Sequence, residues 1–312
     1  MRKYFFVLLV AIVLVLVMAG TASANGGPHG GYTATTDTCA GCHRAHTATG
    51  PKLLVETSTY ALCMSCHGTT GTGADTDVQD GYFLSTRSPS TVGTANTTDT
   101  ASLLGGGFDF YKTAPTTSNH NVSGTILNAW GNGVNRGLTA TLGAGNELDC
   151  ASCHNPHGST NYRIINETVN SAAVTVTQVD EAAKDYDTEQ WAVNQSNICA
   201  ACHSSYHVTS AGSGSDAAMV ASGGYTHRVD MAYTYGANAN PETVGYTDSS
   251  LVNVKVPLAG TTVVCQTCHL PHGSSAAMTG FANGTQPGNT TSTDSALLRL
   301  DNRAVCEACH QK

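Results

Sequence analysis

The stretch Cys150-Ala151-Ser152-Cys153-His154-Asn155-Pro156-His157-Gly158 decides how this chain is read. Its first five residues spell Cys-x-x-Cys-His. The same string stands at Cys39–His43, Cys63–His67, Cys199–His203, Cys265–His269 and Cys306–His310, and the six copies use all 12 cysteines. Cys-x-x-Cys-His is the attachment signal of a c-type haem. Two thiols form thioethers to the porphyrin edge, and the adjacent histidine is placed over one face of the iron. Two other uses of paired cysteines fit less well. A disulfide scaffold gives no reason for a histidine after every second cysteine. A zinc ribbon has no need of histidine at the same offset six times out of six. The reading assigns six c-type haems. Their attachment residues are Cys39, Cys42, Cys63, Cys66, Cys150, Cys153, Cys199, Cys202, Cys265, Cys268, Cys306 and Cys309. Their proximal iron ligands are His43, His67, His154, His203, His269 and His310.

Outward from the motifs, the chain is an ordered internal repeat of three units. Each unit has a leader histidine, a first motif, a histidine three residues past that motif, an apolar clip and a second motif. Unit one runs through His29, Cys39–His43, His46, Leu53-Leu54 and Cys63–His67. Unit two runs through His120, Cys150–His154, His157, Tyr162–Ile165 and Cys199–His203. Unit three runs through His227, Cys265–His269, His272, Leu297–Leu300 and Cys306–His310. The first motifs start 111 and 115 residues apart. Residues 25–118, 119–208 and 209–312 form the three dihaem units of one continuous haem-cored domain.

The histidine inventory matches this reading. Of 13 histidines, six are proximal. The repeat picks out six others as distal candidates: the leaders His29, His120 and His227, and the post-motif His46, His157 and His272. Six irons thus meet six recurring distal ligands, which predicts bis-histidine, low-spin haem. His207 has no counterpart in the other units and is read as a non-ligand. His46 lies three residues past His43, a chain span of at most about 10 Å. It cannot round the porphyrin edge to the other face of the same iron, and the same holds for His157 and His272. The expectation is that each post-motif histidine serves the second motif of its own unit, leaving the leader for the first.

Residues 1–24 read as a signal peptide. Arg2 and Lys3 precede an apolar run from Tyr4 to Met18, and Ala22-Ser23-Ala24 is an A-x-A cleavage site. No second apolar run of spanning length follows, so no membrane span is expected after cleavage. An exported, secreted or cell-surface protein is predicted, with a periplasmic location as the alternative. Cleavage leaves 288 of the 312 residues, or 48 for each motif. Only two tryptophans are present, and Gly, Thr, Ser and Asn abound. Such side chains offer little apolar surface to offset chain entropy, and six porphyrins would supply it. The mature part carries 12 Lys and Arg against 22 Asp and Glu, a poor match for nucleic acid.

The predicted fold is mostly irregular, with short helices and a few short strands around a chain of closely packed c-type haems. Each motif is expected on a single helical turn. Pro156 and Pro271 bias the chain out of helix just past two of the motifs. The Gly/Thr/Ser-rich stretches 69–118, 208–226 and 274–296 read as loops. Alternating valines at 173–179 and 251–256 read as short strands. Asn-x-Ser/Thr triplets at Asn96, Asn121, Asn166, Asn194, Asn283 and Asn289 permit glycosylation.

The strings at 150–158 and 265–273 resemble the multihaem c-type cytochromes with doubled CxxCH motifs. Unit one departs from them, with Arg44-Ala45-His46-Thr47 in place of the Pro-His-Gly form. The resemblance implies stacked bis-histidine haems along an irregular chain. The broad group includes hexahaem proteins that polymerise into extracellular filaments, in which a distal histidine can come from the next subunit. His29, fifth residue of the mature chain, would suit that role. The implied function is electron transfer by hopping, with other redox proteins or extracellular electron acceptors as partners and self-association into filaments. A soluble periplasmic shuttle is the nearest alternative. A multihaem oxidoreductase needs an open or unusual iron ligand, and no CxxCK variant occurs. A structural or adhesive surface protein is the third reading. No residue is assigned as acid, base or nucleophile.

Overall fold

A computed structural model of the protein describes residues 29, 38–71, 74–83, 101–111, 113–126, 128–129, 140–141, 147–179, 190–208, 227–233, 256–279, 294–302 and 304–310. The leader 1–24 and the valine segment 251–255 lie outside the described residues. Among the described residues the longest helix has nine residues and the widest sheet has three strands. This is the mostly irregular architecture that the sequence predicts.

Five short α-helices carry motif cysteines: α1 (Thr59–His67), α2 (Cys150–Cys153), α3 (Ser196–Ala200), α4 (Cys265–Cys268) and α5 (Ala304–Glu307). The Cys39 motif sits on a 3-10 turn, Thr38–Gly41. The motif turns close in the same way. The histidine N–H donates to the carbonyl of the first cysteine, at 2.8 Å for His43, 3.0 Å for His154, 2.7 Å for His203, 3.0 Å for His269 and 2.8 Å for His310. One turn of this kind brings residues three apart onto a common face, so both thiols of a motif point the same way. The turns are too short to persist alone, and capping helps to hold them. Asp149 Oδ1 accepts from Ser152 N at 3.0 Å while Ser152 Oγ accepts from Asp149 N at 3.0 Å. In α4 only the return bond exists, from Val264 N to Thr267 Oγ1 at 3.1 Å.

Each strand among the described residues is two residues long and pairs antiparallel. Thr168–Val169 pairs with Ala172–Ala173, and Met231–Ala232 pairs with Thr262–Val263. The segment predicted as a strand from 173 begins in the first of these hairpins. It continues with Val174 and Val176 buried and the threonines between and after them exposed. Gly273–Ser274 pairs with Ser118–Asn119, Gly273 opposite Asn119, 154 residues away in sequence. This pair ties the segment after His272 to the segment just before His120.

The apolar residues gather in three small clusters instead of one core. Leu103, Leu104, Trp191, Ala259 and Val264 form the first, Ile165, Val169, Val174, Val176 and Ala192 the second, and Val256, Leu300, Ala304, Val305 and Ala308 the third. The first cluster corrects one expectation. The stretch 69–118 is not all loop, because Leu103, Leu104, Phe108 and Tyr111 are buried. Each such side chain contributes about 1.5–3 kcal/mol by leaving water. Between them lies Gly105-Gly106-Gly107. A Cβ on Gly106 would fall 2.0 Å from the Gly273 carbonyl oxygen, and its φ is +83°. The triple glycine is what lets the His272 segment dock there, with His272 N donating to Gly105 O at 2.9 Å.

Candidate functional site

The three apolar clips fold alike. In each, two consecutive non-glycine residues take left-handed backbone: Lys52 and Leu53, Arg163 and Ile164, Ala296 and Leu297, with φ between 50° and 63°. Conformations of this kind cost roughly 1–2 kcal/mol per residue and collect at functional sites. Here they turn a carbonyl toward the motif histidine. His43 Nδ1 bonds to Lys52 O at 2.9 Å, His154 Nδ1 to Arg163 O at 3.0 Å, and His269 Nδ1 to Ala296 O at 2.8 Å. Bridges His43↔Leu54, His154↔Ile165 and His269↔Leu298 lock each arrangement. A carbonyl only accepts, so Nδ1 carries the proton and Nε2 keeps its lone pair. That is the tautomer a metal ligand needs, oriented from behind by its hydrogen bond. His67 follows the same rule through Thr76, whose Oγ1 lies 2.9 Å and carbonyl oxygen 3.2 Å from Nδ1.

Five pairs of histidine rings face one another at nearly one spacing. The centroids are 6.1 Å apart for His29–His67 and for His43–His157, 6.2 Å for His120–His203 and His227–His310, and 6.4 Å for His154–His272. With metal–nitrogen bonds of about 2.0–2.1 Å and a ring centre roughly 1.1 Å behind its nitrogen, two imidazoles on one metal ion stand about 6.3 Å apart. The donor set therefore fits a metal between each pair. The leader rings obey the same tautomer rule: His29 Nδ1 donates to Pro156 O at 3.0 Å and His120 Nδ1 to Pro271 O at 2.6 Å, whereas the buried Nδ1 of the post-motif His272 has no partner. His227 Nδ1 donates to the carbonyl of its own neighbour Arg228 at 2.8 Å. Burial, then the facing His154, holds His272 down at about 3, and burial also lowers His120 and His154. All three are neutral imidazoles at ordinary pH, the form that ligates.

The pairing differs from the sequence expectation. Leaders face the second motif of their own unit, as His29–His67, His120–His203 and His227–His310 do. Post-motif histidines cross instead to the first motif of the preceding unit, as His157–His43 and His272–His154 do. The physical reason is chain direction. The pairing of Gly273–Ser274 with Ser118–Asn119, over the triple glycine, throws His272 away from its own unit. His29, which the resemblance offers to a neighbouring chain, faces His67 of its own chain. His207 does not join a pair. Its Nε2 lies 2.6 Å from Asp230 Oδ2, so the atom that would ligate is already engaged.

No two of the 12 cysteines are joined in a disulfide. Among the described residues no three His, Cys, Asp or Glu side chains converge on one point. Sequence reasoning missed the carbonyl acceptors of Lys52, Arg163, Ala296, Pro156 and Pro271. The recurrence of the clips and of Pro before the post-motif histidine was the available signal. It also missed Arg299, whose Nη2 donates to the carbonyls of Leu104 at 3.1 Å and Gln266 at 3.0 Å.

The doubled CXXCH motif family matches this chain over residues 32–72 and 143–172. The first segment holds both motifs of unit one. The second holds the first motif and clip of unit two. The match supports a multihaem c-type cytochrome with covalently bound haem and an electron-carrying role. Neither a curated protein nor a solved structure matches the chain. No helix among the described residues is long and apolar enough to cross a membrane.

Proposed function

We infer that the chain is an electron conduit carrying six c-type haems, most of them held between two histidines, and that it works outside the cytoplasm as a filament-forming cytochrome. The observation that carries this is the repeated spacing of five histidine pairs at 6.1–6.4 Å. A bound haem iron supplies one-electron exchange at a potential set by its ligands and surroundings. The chain's own residues do the rest. Paired thiols would tether each haem, facing imidazoles would hold the iron from both sides, and the clip carbonyls of Lys52, Arg163 and Ala296 orient His43, His154 and His269 through Nδ1. Closed coordination leaves no position for a substrate, which favours transfer over turnover. Other redox proteins or extracellular acceptors are the expected partners, and a soluble periplasmic shuttle is the alternative.

One observation favours a second reading. Among the described residues no imidazole faces His269, so its iron could stand open as in a multihaem oxidoreductase. Purified holoprotein separates the two. Six haem additions by mass, low-spin spectra and reversible voltammetry without turnover of nitrite or hydroxylamine support the conduit. Sustained turnover of either substrate supports the enzyme and overturns it.

A further inference from the structure

His269 faces no second ring among the described residues, and neither does the exposed post-motif His46. What the chain builds around His269 lies behind it. Its Nδ1 donates to Ala296 O at 2.8 Å. That carbonyl and the N–H of Leu297 belong to one planar peptide unit, and in the trans form they point in opposite directions. Whatever accepts from Leu297 N therefore sets the plane from which Ala296 O reaches His269. The acceptor is Ser118 Oγ, at 2.7 Å and 179 residues away in sequence. In unit two the matching amide, Ile164 N, donates to Asn161 O close by, at 3.1 Å. The clip of unit two holds its own peptide, and the clip of unit three is held by a side chain from the segment that leads into unit two.

Ser118 is fixed in turn. Its Oγ lies 2.6 Å from the Oγ of Ser295, a buried residue just before Ala296. Ser295 Oγ lies 2.9 Å from Thr117 Oγ1, which donates to Ala276 O at 2.7 Å. Ser118 also belongs to the strand paired with Gly273–Ser274. Ser274 is fully buried, and its Oγ donates to Leu298 O. Leu298 is the residue bridged to His269. Two hydroxyls thus grip the clip at successive points, Ser118 on the Ala296–Leu297 peptide and Ser274 on the carbonyl of Leu298. Buried hydroxyls of this kind are costly to leave unpaired, so the group holds together as a network. The same strand runs on into His120, whose N–H donates to His272 O at 3.0 Å. His120 faces His203 and His272 faces His154. One short segment therefore meets histidines that serve three different motifs.

We propose that Ser118 is a positioning residue for the haem on the Cys265 motif, holding the Ala296–Leu297 peptide so that Ala296 O orients His269. This rests on the reading of His269 as an iron ligand. A hydrogen bond behind a ligating ring fixes its orientation and raises its basicity. Ala296 and Leu297 both take left-handed backbone, with φ of 50° and 63°, and neither is the Gly or Asn that adopts it cheaply. Without the bond from Leu297 N to Ser118, the peptide is freer to turn back toward ordinary backbone. Ala296 O then leaves the Nδ1 proton, and His269 becomes a poorer donor to oxidised iron. The potential of that haem rises. The leader segment of unit two thereby tunes the first iron of unit three, although Ser118 touches neither the iron nor its ligand.

The test is spectroelectrochemical titration and electron paramagnetic resonance of the haem-loaded full chain, as wild type, Ser118→Ala and Ser118→Thr. In Ser118→Ala one potential should rise and one iron's resonance should shift, with the other irons unchanged. Threonine keeps the hydroxyl and suits a strand, so Ser118→Thr should return both readings to wild type. In a background of Cys265→Ala and Cys268→Ala, which lacks that haem, Ser118→Ala should move no potential. A shift that persists in this background overturns the proposal. So do unchanged potentials in Ser118→Ala beside a lowered unfolding midpoint, which would leave Ser118 a packing residue alone. If Ser118→Ala fails to accumulate, hydrogen exchange of the wild-type holoprotein decides. The Leu297 amide must be protected, and exchange at the open-chain rate overturns the proposal. A wild-type chain whose Cys265 motif carries no haem by peptide mass would instead strike the reading on which the proposal rests.

Discussion

The ring of His157 stands 6.1 Å from that of His43 and nearly parallel to it, at 21°, although the two belong to different repeat units. The facing rings thus bring unit two against unit one. Replacing His157 with alanine should turn one iron high-spin, and the affected iron should be the one on the Cys39 motif. The check is a triple variant. With Cys39 and Cys42 also replaced by alanine, that haem is absent, and His157→Ala should add no high-spin signal. A persistent signal would move His157 to another motif.

A hydrogen bond behind a ligating ring sets how electron-rich the imidazole is. His67 is the case where a side chain shares that duty, through Thr76 Oγ1 at 2.9 Å. Thr76→Val removes this acceptor and keeps the carbonyl at 3.2 Å. A neutral hydrogen bond is worth about 1 kcal/mol, or about 40 mV for a one-electron couple. The Nδ1 bond favours the oxidised iron, so the variant should raise one potential by up to about 40 mV, read by spectroelectrochemical titration. An unchanged or lowered potential would show that the carbonyl alone carries the effect.

Much of this site was legible in the sequence, for a physical reason. Tethers and proximal ligands must lie within one helical turn, so Cys150, Cys153 and His154 appear as one local string. The leaders and post-motif histidines were legible as recurrences. Their pairing was not, because it depends on where the chain travels after Pro271, and that is decided by the distant Gly105–Gly107 segment. The clip turns were hidden as well. Lys52, Arg163 and Ala296 take left-handed backbone without the Gly or Asn that normally announces it. The burial of Leu103 and Leu104 was masked by the glycines after them, which read as a break but serve a close approach.

Arg299 is buried, its guanidinium 5.8 Å from the centre of the Trp191 ring and its Nη2 shared between two main-chain carbonyls. Burial lowers its pKa, against weaker raising by Tyr111 and Cys268. Arg299→Met keeps the apolar stem and leaves both carbonyls without this donor. The expected loss is about 2–4 kcal/mol, seen as a fall of several degrees in the unfolding midpoint. Removing a buried cation near Cys268 also favours the oxidised iron, so the potential of the haem on that motif should fall. Lysine should not restore the wild-type midpoint, because an ammonium lacks the planar fork and stacks less well on tryptophan. A full return of stability with lysine would reduce the role of Arg299 to its charge.

His207 and Asp230 form an ion pair whose effect on stability depends on pH. The bond to Asp230 raises the His207 pKa above its ordinary value, outweighing burial. Burial pushes Asp230 up, but the bonds from His207 and Ser196 outweigh it and hold the carboxyl below its usual range. A raised histidine contributes fully below the unfolded value of about 6.5 and loses that contribution as pH rises through the folded value. A lowered carboxylate contributes above about 3.9 and loses that contribution as pH falls through its own folded value. The pair therefore stabilises most between about pH 4 and 6.5. Both groups are partly exposed, so water screens them, and roughly 0.2–1 kcal/mol is expected. The difference in denaturant midpoint between wild type and His207→Gln should be largest near pH 5 and shrink by pH 9, and molar salt should weaken it. Spin states should not change in this variant, since His207 spends its Nε2 on Asp230. A new high-spin iron in His207→Gln would place His207 on a haem and remove it from the ion pair.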